Sequence, residues 1–380
     1  MEQLVIGIRA DGSAQIGMGH LMRCLSVAEA LKDRQAQVVF LTNSANSAAF
    51  ITEKGFACRL LENAGGKFGE ASIAEQAAKK PDRNMLEEVP ETLSIIRELH
   101  MKLLLVDSYS ATAEYFHRLR PAVSVIYMDD LGTMQLPVDG LMNYNIYGDT
   151  LPYREAYPKD TLLLLGSSYA PVKKQFRAAA YEVREQAKRI LITMGGSDFL
   201  NISGRLADRL LQQLPADIQL VLVCGRFSPH LDKVLALAEE HTQITVLTDV
   251  QDMWNVMSSV DLAIAAAGST MYELCTLGVP TVCCYYVENQ RRVAEGFGTR
   301  TSMVNAGDFS KEPEQVLDRI TCAASELLAD FRMRKELSEE MHRITDGLGA
   351  CRMADKLIHF ILKRMEKVRT TPQNNYKNTR

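Results

Sequence analysis

Leu4-Val5-Ile6-Gly7-Ile8-Arg9-Ala10-Asp11-Gly12-Ser13-Ala14-Gln15-Ile16-Gly17-Met18-Gly19-His20 is the stretch that decides the fold. It opens as a short apolar run of strand length and passes into a glycine-bearing loop. Apolar residues then recur at helical spacing from Leu21 to Lys32. A strand, a glycine loop and a helix in that order form the unit from which helix-covered parallel sheets are built. Gly17 and Gly19 would let the backbone approach a ligand. His20 falls in the first helical turn, where the positive end of the helix dipole disfavours an imidazolium. A neutral histidine there is competent as a base, although a histidine that merely caps the helix fits the same position. A dinucleotide loop does not fit. The third position of a G-x-G-x-x-G pattern is Met22, and the next strand ends in Thr42-Asn43 without an acidic residue to hold a ribose.

Outward from this unit the same rhythm continues. Strands are expected near Leu4 to Ile8, Gln37 to Thr42, Cys58 to Leu61, Leu103 to Asp107 and Val123 to Met128, with helices starting near His20, Ala45, Glu87 and Ala113. The pattern restarts with strands near Arg189 to Met194, Gln219 to Cys224, Ile244 to Leu247, Leu262 to Ala266 and Thr281 to Tyr286. Between these lie helices near Ile202, His230, Asp252, Thr270 and Gln290. The class is α/β, with two similar Rossmann-like domains facing each other across a cleft. The break falls between Tyr147 and Pro171, where Pro152, Pro158 and Pro171 interrupt the periodicity. The division expected is 1–160, 161–345, a C-terminal helix at 346–367 and a disordered polar tail at 368–380. Ligands of such sheets sit beyond the carboxyl ends of the strands. The segment from Asn63 to Pro90 is long for a connection and reads either as a flap near the cleft or as a solvated excursion.

The second half repeats the glycine device at Met194-Gly195-Gly196-Ser197-Asp198, whose N–H groups would suit a pyrophosphate, or which is simply a tight turn. A third cluster, Gly268-Ser269-Thr270-Met271-Tyr272-Glu273, follows another strand. Glu273 could hold ribose hydroxyls there, or close a capping box with Thr270. Asp107-Ser108-Tyr109 and Asp129-Asp130 end first-half strands and would face the cleft, where the three aspartates either orient His20 or the sugar or cap a helix. Asn289 and Gln290 could bind a sugar amide, or make an Asx turn.

The 380-residue chain is 47% hydrophobic and 24% charged, enough for two cores, and its formal charge of -4 lacks the basic excess expected of a nucleic-acid binder. Eight cysteines without a C-x-x-C pair suggest buried thiols and no metal site. Neither a signal-like start nor an apolar run of about 18 residues is present, so a cytoplasmic protein with no membrane partner is expected.

Taken together, Arg9-x-Asp11-x-Ser13-x-x-Ile16-Gly17-x-Gly19-His20-x-x-Arg23 and the two later clusters resemble the pseudaminic acid biosynthesis hydrolases, which act on UDP-2,4-diacetamido-2,4,6-trideoxy-β-L-altropyranose. They are also similar to spore-coat polysaccharide proteins of the SpsG type. The resemblance runs from Leu4 to about Phe297 and implies a GT-B fold, a UDP-sugar substrate and no cofactor or metal. It further implies water attack at the anomeric carbon with inversion. His20 then corresponds to the catalytic histidine, with Tyr109 and Asp11 as further catalytic candidates. Arg9, Gly17, Gly19 and Arg23 would bind substrate from the first half. From the second half, Gly195, Gly196, Ser197, Asp198, Gly268, Ser269, Thr270, Glu273, Asn289 and Gln290 would do so. Some members carry Asn where Tyr272 stands here. A GT-B glycosyltransferase is the alternative activity and a non-catalytic sugar-nucleotide-binding subunit a further one; a monomer or weak dimer is expected.

Overall fold

A computed structural model describes residues 3–10, 19–61, 85–132, 135–177, 181–225 and 228–370, with side chains described through 367. The first half comprises β1 (Val5–Ala10), α1 (Gly19–Lys32), β2 (Gln37–Thr42), α2 (Ala45–Glu53), β3 (Ala57–Leu60) and α3 (Val89–Glu98). It continues through β4 (Leu103–Asp107), α4 (Ala113–Leu119), β5 (Ser124–Met128), β6 (Gly140–Asn143), α5 (Tyr153–Ala156) and β7 (Leu162–Leu165). The second half runs β8 (Arg189–Thr193), α6 (Ile202–Gln213), β9 (Gln219–Cys224), α7 (Leu231–Glu240), β10 (Ile244–Thr248), α8 (Met253–Ser258) and β11 (Leu262–Ala266). Then follow α9 (Thr270–Leu277), β12 (Thr281–Tyr285), α10 (Glu288–Arg300), β13 (Asn305–Asp308), α11 (Pro313–Ala329), α12 (Phe331–Ile344) and α13 (Gly349–Thr370).

Two parallel sheets result, in the orders β3-β2-β1-β4-β5-β6-β7 and β10-β9-β8-β11-β12-β13. Each is doubly wound. The order reverses between β1 and β4 in the first sheet and between β8 and β11 in the second, and crevices open at such reversals. The His20 loop follows β1 and Asp107 ends β4, with Ala10 and Asp107 in register. The Gly195 turn follows β8, and Gly268 follows β11. The sequence motifs therefore cluster where the topology opens. Helices on both faces explain why the central strands read as unbroken apolar runs; Leu103 through Asp107, for example, are all buried.

The alternating direction of strand side chains sorts β1 cleanly. Ile6, Ile8 and Ala10 enter the core shared with α1, whereas Arg9 points to the opposite face. Glycine at position 7 is required by that second face, because a Cβ there would lie 2.8 Å from Leu104 and Met101.

Three strands escape the sequence reading. β6 and β7 lie at or just before the segment taken as the domain break, and β7 pairs with β6, so the first sheet extends to Leu165 instead of ending at 160. β13 is the polar run Asn-Ala-Gly-Asp, which carries no strand signal of its own. The C-terminal helix expected at 346–367 spans Gly349–Thr370, so the start of the proposed tail is helical; residues 371–380 lie outside the described residues, as does most of the proposed flap, at 62–84.

The halves are clasped at several points. The Tyr272 hydroxyl, on α9, accepts from the Ile146 N–H at 2.9 Å after β6, and its ring packs against Tyr144 and Phe297. Arg292 on α10 donates to the Leu131 carbonyl, and Arg300 pairs with Asp149. α13 returns to the first half, burying Met353, Ala354, Leu357 and Ile361, and Asp355 accepts both arms of Arg34 from α1.

Candidate active site

His20 sits in the first turn of α1 and is 7% exposed. Its Nδ1 lies 2.6 Å from Asp107 Oδ1. Burial alone would favour the neutral acid at Asp107, but Arg23 and His20 outweigh it and hold the carboxyl well below the usual carboxylate range. Asp107 is therefore an anion that can only accept, so Nδ1 donates to it, and in the neutral tautomer that this pairing selects the lone pair falls on Nε2. The Arg23 Nη2 atom, 3.1 Å from Nδ1, is another donor and is drawn there by Asp107 rather than by the ring.

Arg23 stands one turn along α1 and ties the surroundings together. Its Nε and Nη2 bind the two oxygens of Asp107 at 2.6 and 2.5 Å. Its Nη1 and Nη2 bind Asp130 at 2.7 and 3.0 Å, and Nη1 also donates to Tyr144. Burial opposes the charge of Arg23, yet two carboxylates keep its pKa raised. Expected to bind substrate, Arg23 is committed instead to holding Asp107 and Asp130 in place. Asp130 in turn accepts from the Tyr109 hydroxyl at 2.9 Å. The Tyr109 ring stands edge-on to His20, centroids 4.6 Å apart. Burial and the Asp130 charge keep the Tyr109 phenol protonated, and the Asn289 side chain of the opposite domain lies close enough to oppose that shift in part. His20, Tyr109 and Asn289 thus meet across the domain boundary.

The next cleft-facing positions of α1, Met22, Ser26 and Glu29, line a cavity of 450 Å³ between the halves. Its far wall holds Gly195, Gly196, Thr270 and Glu273, with Lys173 from the linker between the domains. At Gly19, Gly196 and Gly268 a Cβ would meet no described atom within 4 Å, so these glycines border open space. Gly195 has φ +83, and Asp198 and Asn201 are also left-handed, a concentration of backbone strain of the kind found at ligand sites. Gly225 approaches so closely that a side chain there would run into the Gly196 carbonyl. Glu273 makes no capping box, since α9 is capped at Ser269 without a side-chain hydrogen bond. Burial pushes its carboxyl up to about 7, opposed in part by Lys173.

Other expected residues take structural roles. Arg9 is fully buried behind the sheet and donates to both oxygens of Glu88 at 2.7 and 2.9 Å. Asp198 accepts from the Ile202 and Ser203 N–H groups and so starts α6. Gln290 accepts from the Tyr286 N–H, and Asp129 accepts from Leu131, Gly132 and Tyr153. Ser197 is half-buried and Ser269 exposed. Asp11 and Gly17 lie outside the described residues. Lys173 and Tyr144 are absent from the sequence reading: Tyr144 directly follows β6, a strand that reading lacks, and Lys173 stands in a segment taken only as a domain break.

Comparison with solved structures identifies the architecture. The chain superposes on the crystal structure of MurG from Acinetobacter baumannii with a TM-score of 0.62 at 15% identity, covering 94% of this chain and 99% of that one. On the glycotransferase of kitacinnamycin the TM-score is 0.69 at 17% identity, over 95% and 100% of the two chains. The fold is GT-B. Within this GT-B chain, residues 189–347 match the glycosyltransferase family 28 C-terminal domain. In sequence it is 27% identical to the spore coat polysaccharide biosynthesis protein SpsG of Bacillus subtilis (strain 168), over 92% of this chain and 96% of that protein. It is 26% identical to the UDP-2,4-diacetamido-2,4,6-trideoxy-beta-L-altropyranose hydrolase of Campylobacter jejuni, over 75% and 93%. Among the described residues no helix is long and apolar enough to cross a membrane.

Proposed function

We propose that this GT-B protein hydrolyses a UDP-activated diacetamido sugar, releasing UDP and the free sugar by attack of water at the anomeric carbon with inversion. The observation that carries this reading is the His20–Asp107 pair, which leaves a base-competent Nε2 at the head of the helix that lines the nucleotide-sized cleft. The substrate class is drawn from the hydrolase relative.

In this mechanism UDP lies on the second-half wall, its pyrophosphate against the Gly195–Gly196 turn and the start of α9, and its ribose hydroxyls on Glu273. His20 Nε2 takes a proton from water as the oxygen attacks. Asp107 then stabilises the imidazolium through Nδ1, as in any base oriented by a buried carboxylate. Tyr109 and Asn289 hold the water or the sugar from either side of the cleft. UDP is a good leaving group, so its developing charge needs fixed donors more than a proton; such donors are worth ~10²- to 10³-fold each, and the base ~10²- to 10⁴-fold.

The second reading, transfer of the sugar to an acceptor hydroxyl, has in its favour the match to a glycosyltransferase domain and transferase neighbours in fold. The same base would serve an acceptor alcohol. His20→Ala tests the shared core of both: UDP affinity is expected to stay, while kcat falls by at least about a hundredfold. Retention of more than about a tenth of wild-type kcat removes His20 from the base role. Acceptor-free UDP release separates hydrolysis from transfer.

A further inference from the structure

A second cavity, larger than the nucleotide cleft, lies elsewhere among the described residues. A groove of 920 Å³ runs along the opposite end of the first sheet, at the amino ends of β5, β6 and β7, and the base and its cleft have no residue in it. One wall is α13, which presents Lys356, His359, Lys363 and Lys367 on a single helical face. Arg120 and Lys159 stand on the other wall. Counting Arg364, six lysines and arginines line the groove against two carboxylates, Asp139 and Asp160, a local excess of four positive charges on a chain whose net charge is -4. Asp139 is already engaged, accepting from Arg120, Arg364 and the Val125 N–H. Lys159, Lys356 and Lys363 make no ion pair among the described residues. Solvation alone explains scattered lysines, but not their convergence on one concave surface in an otherwise acidic protein.

We propose that this groove binds an acidic segment of a partner polypeptide. Lys356, Lys363 and Lys367 stand at about 0, 10 and 16 Å along α13 at 1.5 Å per residue. At ~3.3 Å per residue, about five residues of extended chain would cover the stripe. A flat bilayer could not follow the concave surface. The chain's own residues 371–380 carry Lys377 and Arg380 and no acidic residue, so their charge does not complement the groove. Partner docking here would leave the cleft open to substrate.

The test uses the full chain, with a fluorescently labelled deca-glutamate peptide as probe and anisotropy as readout. Wild type is expected to bind at about 50 mM salt and to weaken at about 150 mM. Lys356→Glu/Lys363→Glu, two exposed positions on α13, is expected to weaken binding at least about tenfold. Its melting temperature and UDP-sugar turnover should match wild type, and Lys233→Glu/Lys335→Glu, exposed positions remote from the groove, should bind normally. Equal binding by the groove variant, or no binding by wild type, overturns the proposal. So does tighter, groove-dependent binding of phosphatidylglycerol vesicles or of a single-stranded oligonucleotide.

Discussion

Replacing Asp107 by Asn isolates the role of the carboxylate behind His20. The side chain keeps its shape, but its charge disappears, and with it the requirement that Nδ1 carry the proton. The new amide can offer its hydrogens to the ring, which favours the tautomer with the lone pair on Nδ1 and leaves Nε2 protonated and useless as a base. Arg23, which donates two hydrogen bonds to Asp107, keeps its two contacts to Asp130. Its charge therefore stays compensated, and the loss of stability should be about 1–3 kcal/mol, as for a charged hydrogen bond, rather than that of an orphaned buried ion. The expected loss in kcat is about 10²- to 10⁴-fold, the range for a placed base. UDP release from the UDP-diacetamido sugar, UDP affinity by calorimetry and a thermal melt together resolve these effects. A variant that retains kcat within about threefold while binding UDP normally would refute the His20–Asp107 reasoning; a lost melt would instead mean that Asp130 cannot hold Arg23 alone.

Three further outcomes are expected. Glu273→Gln should remove a pH effect: the wild-type carboxyl, raised from 4.5 to about 7 by burial, binds ribose as an anion only above that value, so wild-type UDP affinity falls as pH drops below 7 while the variant's is weaker and flat. The same raised pKa means wild-type stability declines as pH rises from about 4.5 through about 7, a decline that thermal melts of the variant should lack. Tyr272→Phe leaves the buried Ile146 N–H without its acceptor and should cost about 1–3 kcal/mol in a denaturant titration. Arg334→Met frees the carbonyls of Leu327, Leu328, Arg184 and Glu185, all held by one fully buried guanidinium, and should lower stability by about 3 kcal/mol or more, measured in the same titration.

What was legible in the sequence follows from the range of the interactions involved. The central strands of both sheets and most helix starts are local signals, and Gly19–His20, Gly195–Gly196 and Gly268–Glu273 were found because each glycine or hydroxyl cluster follows an apolar run. β13 was missed because pairing with β12, not composition, makes it a strand. Assignment of side chains to roles was harder. Arg9 and Arg23 lie in the same motif and look equivalent, but strand alternation sends Arg9 behind the sheet to Glu88, 79 residues away, while Arg23 meets Asp107, 84 residues away. No local pattern encodes such partners. Tyr272 gains its meaning only from Ile146 and Tyr144 across the domain boundary.

The central claim is that water, activated at His20, attacks the anomeric carbon of a UDP-sugar. Purified protein would be incubated with UDP-2,4-diacetamido-2,4,6-trideoxy-β-L-altropyranose in ¹⁸O-water without an acceptor, and both products weighed by mass spectrometry. The account predicts prompt UDP release with the label in the free sugar. Label in the UDP phosphate, or no release despite measurable UDP binding, would contradict it.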